Sequence, residues 1–190
     1  MEKTLPGHVD LSKYQHNPQY SSKSWRNRIW YLINAFLINT SVPLPVSFKI
    51  WVLRKFGAKV GKGVMIKPLV NIKFPWLLEI DDYVWIGEEV WIDNLAPIRI
   101  GSNSCLSQGA MLLCGNHNYK SYRFDLMVGP ITLEEGVWIG AKAIVCPGIT
   151  CHSHAILTVG SIASTNLEAY GVYRGNPATK IRERSIEIPQ

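Results

Sequence analysis

His117 is the residue of this 190-residue chain with the clearest potential for acid–base chemistry. It lies in the segment Gly115-Asn116-His117-Asn118-Tyr119. An imidazole changes charge near physiological pH, so it can accept the proton of a hydroxyl group that attacks an acyl donor. The alternative is a surface histidine whose ring is held by a backbone carbonyl group. The residues alone leave both roles open.

Two carboxylates are candidates to orient this base, because an imidazole is usually held by a carboxylate or a carbonyl group. Asp93 and Asn94 end the segment WIDN, and Asp125 lies eight residues after His117. A second expected role for Asp93, Asn94 and Asp125 is contact with the substrate, which the family resemblance given below implies. For Asp93 and Asn94 the alternative is a structural role in turning a corner of the chain.

The remaining histidines and cysteines favour structural roles. His152 and His154 form an HxH pair, but no third ligand lies near them, so we predict no metal site. The cysteines lack CxxC spacing, which argues against a zinc or redox motif and favours reduced thiols in a cytoplasmic protein. They replace small or inward-facing residues, so a nucleophilic cysteine is not expected. The four are Cys105, Cys114, Cys146 and Cys151.

Composition indicates a folded domain with an appendage. The hydrophobic fraction is 47% and the charged fraction 18%, which argues against a disordered chain. No apolar run approaches the ~18 residues of a spanning helix, and the first residues lack the apolar core of a secretory signal. The net charge of +6 suits an anionic cofactor, an acidic membrane surface or nucleic acid. Nothing else supports nucleic acid, so we reject that class of partner.

A six-residue period dominates the chain from Val60 onward. This period matches neither a helix face nor the alternation of a strand, but fits short straight segments separated by tight corners. Three segments would close a triangular coil of about 18 residues, whose inward residues stack on the next coil. The repeating positions are Val60, Ile66, Ile72, Ile80, Ile86, Ile92, Ile100, Leu106, Leu112, Leu133, Ile139, Val145, Cys151 and Leu157.

Interruptions of the period indicate where the chain leaves the coil. The extra residues between Ile72 and Ile80, and between Ile92 and Ile100, must bulge at a corner. Between Leu112 and Leu133 the period fails for twenty residues. Because long excursions from a repeat usually serve binding or catalysis, this loop, which contains His117, is the predicted site.

The N-terminal region has a different pattern. Residues 1 to about 23 predict an extended arm. Ser24 is the expected cap of a helix whose apolar residues are Trp25, Ile29, Trp30, Ile33 and Phe36 or Leu37. Pro43 and Pro45 end it, and a second helix is predicted from Val46 to Phe56.

We expect this hairpin to pack on the coil. The alternative is contact with a membrane surface through an aromatic-rich face ringed by cations. Those cations are Arg26, Arg28, Lys49, Arg54 and Lys55.

The repeat resembles the left-handed parallel β-helix of the hexapeptide-repeat acyltransferases. The resemblance covers residues 57–182 and is greatest for the colanic-acid-biosynthesis acetyltransferases, relatives of galactoside and maltose acetyltransferases. The stretches that carry it are IKFPWLLEI, VWIGEEVWIDNLAPIRIGSNSCLSQGA, GNHNYKS and GNPATKIR.

The resemblance implies an all-β fold with three parts. An arm and helical hairpin occupy residues 1–56, a β-helix with its catalytic loop at 113–132 occupies 57–182, and a tail follows at 183–190. It also implies His117 as the general base of a homotrimer with active sites between subunits. The implied location is the cytoplasm, with the inner face of the membrane as the alternative.

Acetyl-CoA is the acetyl donor that the resemblance implies, and a sugar hydroxyl in exopolysaccharide or surface-polysaccharide synthesis is the acceptor, free or lipid-linked. Many relatives carry a Thr-Lys pair where this chain has Ser164 and Thr165, so one cationic contact to CoA is missing. Lys142 and Arg184 are expected to be solvated. The implied cofactor-binding residues are Trp138, Gly140, Ala141, Val159, Gly160, Ser161, Ser164, Lys180 and Arg182.

Two other functions on the same fold remain as alternatives. A gamma-type carbonic anhydrase needs three histidine ligands, and the loop supplies only His117. A non-catalytic scaffold would not bind acetyl-CoA.

Overall fold

The chain winds into a three-sided parallel β-helix. The computed structural model describes residues 7–15 and 25–187, so the predicted cap Ser24 and most of the predicted arm lie outside the described residues. Each coil contributes one short strand to each of three sheets, and every neighbouring pair of strands along the coil axis is parallel.

The strands are two or three residues long along most of the helix. Sheet A contains β1 (Lys59–Val60), β4 (Leu78–Ile80), β7 (Ile98–Ile100), β12 (Ile131–Leu133) and β15 (Thr150–Cys151). Sheet B contains β2 (Met65–Ile66), β5 (Trp85–Ile86), β8 (Cys105–Leu106), β13 (Trp138–Ile139), β16 (Ile156–Leu157), β18 (Gly171–Gly175) and the antiparallel β19 (Ala178–Glu183). Sheet C contains β3 (Asn71–Ile72), β6 (Trp91–Asp93), β9 (Met111–Leu113), β14 (Ile144–Val145) and β17 (Ile162–Ala163).

The inward residue of each strand forms the core. In sheet A the stack runs from Val60 through Ile80, Ile100 and Leu133 to Cys151, and all five side chains are buried. Each aliphatic side chain buried in this way contributes roughly 1.5–3 kcal/mol. No single coil could bury its own apolar face, so stacking of coils supplies the core. The prediction of a hexapeptide-repeat left-handed β-helix is confirmed.

The outward residues divide the three sheets into two kinds. Sheet A presents a polar row, whereas sheets B and C present apolar rows in the same register. The row on sheet A is Lys59, Glu79, Arg99, Thr132 and Thr150. The row on sheet B is Met65, Trp85, Cys105, Trp138, Ile156 and Val172, and on sheet C it is Asn71, Trp91, Met111, Ile144 and Ile162.

All three interruptions of the period fall on one edge of the prism, where the chain passes from sheet C to sheet A. The first forms a 3-10 turn at Pro75–Leu77, the second runs from Asp93 to Pro97, and the third is the long loop. They are fastened to one another: the buried Asn94 side chain accepts from the Phe74 amide at 2.9 Å and donates to the Phe74 carbonyl. The long loop therefore leaves the coil at the same edge as the two shorter bulges.

A helical hairpin closes the first coil. It consists of α1 (Trp25–Ile33), a π-helical turn at Asn34–Ile38 and α2 (Val46–Lys55). One side chain of the hairpin reaches the open backbone edge of each sheet. At sheet C, Trp30 Nε1 donates to the Ile72 carbonyl at 2.8 Å. At sheet B, Lys49 Nζ donates to the Lys67 carbonyl at 3.1 Å, and at sheet A, Arg54 donates to the Val60 carbonyl at 2.6 Å.

The hairpin packs on the β-helix, as expected, but uses only part of the predicted apolar series. The helix packs through Trp30, Asn34 and Ile38, and Ile33 and Leu37 are partly buried against the core, whereas Trp25 and Phe36 are exposed. The reason is that indole and amide groups are needed to satisfy the edge of sheet C. Lys49, which the membrane-surface alternative counted among the flanking cations, is only 1% exposed, and burial lowers the pKa of its ammonium group.

The other end of the β-helix closes with a strand pair. β18 continues sheet B, and β19 turns back on it in antiparallel pairing. Arg184, expected to be solvated, donates to the carbonyl groups of Gly136 at 2.8 Å and His154 at 3.1 Å. It therefore ties the end of the chain to the last coils.

Candidate active site

A two-stranded hairpin presents His117 at the sheet C to sheet A edge. β10 (Gly115–His117) pairs antiparallel with β11 (Leu126–Val128), and His117 lies opposite Leu126. The tip is closed by local bonds, among them the Asn118 amide to the Asp125 carbonyl at 2.8 Å. His117 thus stands on a short β-ribbon rather than on an irregular loop.

The imidazole of His117 is held from one side by Phe124. The distance from His117 Nδ1 to the Phe124 carbonyl oxygen is 2.8 Å, and the two rings stack with centroids 4.3 Å apart and an angle of 6°. A carbonyl oxygen only accepts hydrogen bonds, so Nδ1 carries the proton in this pair. In the neutral ring, Nε2 is then the atom with a lone pair, which is the form that a general base requires.

Tyr14 of the N-terminal arm contacts the same imidazole. Its ring centroid lies 5.8 Å from that of His117, at an angle of 56°. The arm is anchored on the loop, because the Asp10 amide donates to the Tyr122 carbonyl at 2.8 Å. No residue pattern indicates this contact, since the two rings are about a hundred residues apart in the chain.

The two predicted acids lie near the loop but pair elsewhere. Asp93 Oδ1 forms an ion pair with Lys73 Nζ at 2.8 Å, and Asp125 Oδ2 accepts from the Ser121 hydroxyl at 2.7 Å. The Phe124 carbonyl, rather than a carboxylate, occupies the position that orients the imidazole. Asn94 is completely buried with its amide on Phe74, which favours the corner role that was the alternative for it.

Asp93 also lies between the start of the loop and a groove. Gly115 lies two residues before His117. A Cβ atom built on Gly115 would lie 3.7 Å from Asp93 Oδ2, so the carboxylate is close to the start of the loop. A groove of about 680 Å³ begins at Asp93 and runs between sheet C and α1. Trp91 and Lys73 line its floor, and Tyr31 and Leu32 line its helical wall.

Four of the predicted cofactor residues cluster on another edge of the prism. Gly140 and Ala141 stack directly on Val159 and Gly160 at the corner from sheet B to sheet C, with the Gly160 amide bonded to the Ala141 carbonyl at 2.9 Å. A Cβ at Gly140 would lie 2.6 Å from the Val159 nitrogen, so glycine allows the coils to approach there. His117 lies on a different edge of the same chain.

The other predicted cofactor residues are dispersed. Trp138 is on the outer side of sheet B, where its Nε1 donates to the Ser107 hydroxyl at 2.9 Å; Ser107 was not predicted. Ser161 is buried, and its hydroxyl accepts from the Gly175 amide at 3.0 Å. Ser164 is exposed after sheet C, and Arg182 is exposed on β19.

Lys180 lies between two carboxylates. Its Nζ is 2.7 Å from both Glu168 Oε2 and Glu183 Oε1. The bond to Glu168, followed by that to Glu183, raises the pKa of the Lys180 ammonium group. A CoA phosphate at Lys180 would have to compete with these acids.

The cysteine side chains are poor nucleophiles in this fold. Burial raises the pKa of Cys114 to about 11 and that of Cys151 to about 12, and it also raises those of Cys105 and Cys146. The thiolate is the reactive form, so these thiols are disfavoured as acyl carriers. Within residues 7–15 and 25–187, no three His, Cys, Asp or Glu side chains group as metal ligands.

Solved structures share the architecture. The chain matches the hexapeptide-repeat acetyltransferase of Vibrio cholerae with a TM-score of 0.75 and 20% identity, covering 91% of this chain and 96% of that one. It matches galactoside acetyltransferase in complex with coenzyme A with a TM-score of 0.75 and 22% identity, covering 83% and 80% of the two chains. These likenesses concern the fold.

Sequence identity to known proteins assigns the chain to a family. No family model matches the chain. It is 36% identical over 157 residues to the Escherichia coli (strain K12) protein named "Putative colanic acid biosynthesis acetyltransferase WcaF", covering 83% of this chain and 86% of that protein. It is 25% identical over 153 residues to the galactoside O-acetyltransferase of the same organism, covering 76% and 73%. The chain therefore belongs to the colanic acid biosynthesis acetyltransferases, within the hexapeptide-repeat acetyltransferases.

Proposed function

We propose that this protein transfers an acetyl group from acetyl-CoA to a sugar hydroxyl with His117 as the general base. The observation that carries the proposal is the bond from His117 Nδ1 to the Phe124 carbonyl, because it presents Nε2 as a proton acceptor. The names of the relatives support acetyl transfer to a carbohydrate, and the solved structure with coenzyme A supports the donor.

The reaction needs no covalent enzyme intermediate. Nε2 takes the proton of the acceptor hydroxyl as its oxygen forms a bond to the thioester carbonyl carbon. The tetrahedral species then expels the CoA sulfur, which receives the proton back from the imidazolium. The products are an acetyl ester and the CoA thiol. Direct transfer is also supported by the raised pKa values of the buried thiols Cys114 and Cys151.

The groove beside Asp93 is the proposed acceptor site. It is concave, and its aromatic floor at Trp91 lies beside the ion pair of Asp93 and Lys73. A carboxylate accepts hydrogen bonds from hydroxyl groups, and an ammonium group donates to them. We propose a sugar in exopolysaccharide or surface-polysaccharide synthesis, with Asp93 as its ligand. Asp125, tied to Ser121, would act only by holding the loop.

A homotrimer with composite sites is the proposed assembly. The apolar rows of sheets B and C leave two sides of the prism suited to contact, while sheet A is polar. If sheet B of one copy packs on sheet C of the next, three copies close a ring. His117 and the cluster of Gly140, Ala141, Val159 and Gly160 lie on different edges of one chain, so a second copy would bring them together.

For the donor, we propose that CoA lies along the corner from sheet B to sheet C. The pantetheine arm would contact the cluster of Gly140, Ala141, Val159 and Gly160, beside Trp138. Arg182, which is exposed, would contact a phosphate, because guanidinium groups bind phosphate in bidentate fashion. The supply of acetyl-CoA makes the cytoplasm the proposed compartment.

A thiol-release assay tests the proposed reaction. Purified protein with acetyl-CoA is offered free sugars, nucleotide sugars and lipid-linked sugars, and CoA thiol is measured together with the acetylated product. We expect release that depends on one class of acceptor. If the protein binds acetyl-CoA in calorimetry but acetylates none of them, the sugar assignment fails. If it binds no acetyl-CoA, the scaffold alternative replaces the enzyme.

A further inference from the structure

The outer side of the helical hairpin is apolar although it faces away from the β-helix. Trp25, Ile29, Leu32 and Phe36 recur at intervals of four, three and four residues, which places them on one face. Their exposures are 73%, 43%, 56% and 71%. Because Trp30, Asn34 and Ile38 pack on the β-helix from the opposite face, the helix is apolar on both sides.

The second helix extends this surface. Phe48 and Trp51 of α2 are exposed, and their rings stack with centroids 6.0 Å apart. The Lys55 ammonium group lies 5.9 Å from the Trp51 ring. We call the exposed set Trp25, Ile29, Leu32, Phe36, Phe48 and Trp51 the hairpin outer surface.

The part of the sequence that carries this surface is rich in basic residues. From Leu11 to Leu78 the sequence contains eleven Lys or Arg residues and no Asp or Glu, whereas the other nine cations share the rest of the chain with all 14 acids. Lys59, Lys62 and Lys73 of this stretch pair with carboxylates of later coils, and Lys49 is buried. The exposed Arg26 and Arg54 instead donate to backbone carbonyls, and such bonds leave their positive charge without a compensating carboxylate.

The exposed apolar residues of α1 would be covered by a partner that lies along the helix. No helix of the described residues is long and apolar enough to cross a bilayer. The fourteen residues of α1 and its π-helical turn would extend about 21 Å, against about 30 Å of hydrocarbon. Short helices with a Trp- and Phe-rich face and flanking cations are typical of segments that lie in the membrane interface.

We infer that the hairpin outer surface docks on an anionic lipid bilayer. Basic residues are attracted to acidic headgroups, and the exposed aromatic rings are suited to the interface. A second copy docked through the same surface would bring like charge to like charge. Tyr31 and Leu32 also line the groove that contains Asp93, so docking would place that groove beside the headgroups. Under the proposed function, a lipid-linked sugar could enter it there.

Sedimentation with vesicles tests the docking without using the reaction. The full-length protein is mixed with vesicles of phosphatidylcholine alone and of phosphatidylcholine with phosphatidylglycerol. We expect binding to the anionic vesicles that falls in about 0.5 M salt. The double variant Trp25→Ser/Phe36→Ser should bind at least ~10-fold more weakly. The matched control Tyr83→Ser removes an aromatic ring 53% exposed outside the hairpin and should bind normally.

Light scattering on the same proteins separates the membrane from a second copy as the occupant. We expect the double variant to keep the mass of the unmodified protein. Absence of binding to anionic vesicles, equal binding of the double variant, or equal binding to neutral vesicles would overturn the inference. A lower mass for the double variant would also overturn it and assign the surface to a contact between subunits.

Discussion

The Nδ1 atom of His117 lies 2.8 Å from the carbonyl oxygen of Phe124, and the two rings stack. A main-chain carbonyl has no charge to titrate, so it fixes the tautomer without competing for the proton that Nε2 receives. The ribbon that carries both residues is paired through Gly115–Val128 and His117–Leu126. The imidazole of His117 is therefore positioned by the backbone of its own loop.

Replacement of this base should abolish most of the reaction. For His117→Ala we expect acetyl transfer to fall at least ~100-fold, because general base catalysis is lost. Circular dichroism and light scattering should show an unchanged fold and mass. The control is His152→Ala, which removes an imidazole bound to Glu134 instead. Near-normal turnover of folded His117→Ala would refute the assigned role.

Tyr14 should matter through its ring. We expect Tyr14→Ala to lower kcat by about two- to tenfold, since an aromatic contact of this type is worth roughly 0.5–1.5 kcal/mol. Tyr14→Phe should restore the rate. Tyr119→Ala is the control, because that ring is 76% exposed in the same loop. Equal rates for Tyr14→Ala and the unmodified enzyme would show that the arm does not help to position the imidazole.

The buried thiols should be inert in the folded enzyme. Cys114 and Cys151 are completely buried, and their raised pKa values leave little thiolate at pH 8. We expect their modification by maleimide to be at least ~100-fold slower than in the unfolded chain, as measured by peptide mass spectrometry. Cys114→Ala should retain acetyl transfer. Loss of transfer together with a trapped acetyl-cysteine in the unmodified enzyme would instead indicate an acyl-enzyme.

Glu134 should make stability depend on acid pH. Hydrogen bonds from Ser153 and then His152 lower the pKa of its carboxyl group. A carboxyl whose pKa is lower in the folded state stabilises the fold above its unfolded pKa, about 4.3, and this contribution is lost as pH falls further. Glu134→Gln should therefore lower Tm at pH 7, and the difference from the unmodified protein should shrink below about pH 4. Glu135→Gln is the control, because Glu135 Oε1 accepts from the Asn103 side-chain amide at 3.1 Å and a glutamine oxygen can accept the same bond. A constant Tm difference across this pH range would contradict the assignment.

The apolar row on sheet B should hold the assembly. Trp85, 62% exposed, stands between Met65 and Cys105 on that row. Trp85→Lys should convert a trimer, with three times the 21.4 kDa chain mass, into monomers in light scattering. Thr132→Lys places the same cation on the polar sheet A and should leave the mass unchanged. Trimers that survive Trp85→Lys would exclude sheet B as the interface.

The sequence predicts the β-helix well because the same apolar position recurs in every coil. Inward stacking requires only that Val60, Ile80 and Ile100 share a register, and a fixed period reports that directly. The residue before each inward one could also have revealed that sheets B and C are apolar outside. The position of His117 in the longest interruption followed from the same count.

Contacts that depend on the path of a single segment could not be predicted. Residue types could not predict that the Phe124 carbonyl orients the imidazole, since every residue has a backbone carbonyl. Tyr14 reaches the imidazole only because the arm folds back on Tyr122. Lys49 looks like a surface cation until the open edge of the first coil requires a donor. Each contact depends on the path that one segment takes against another, which residue types and spacing do not report.

The hairpin that closes the first coil has a consequence for solubility. Bare edges of parallel strands template the addition of further chains, as in amyloid growth. Here Trp30, Lys49 and Arg54 donate to one carbonyl on each of the three edges. End-to-end polymerisation of the solenoid is thereby blocked at its starting end, and the molecule keeps a finite length.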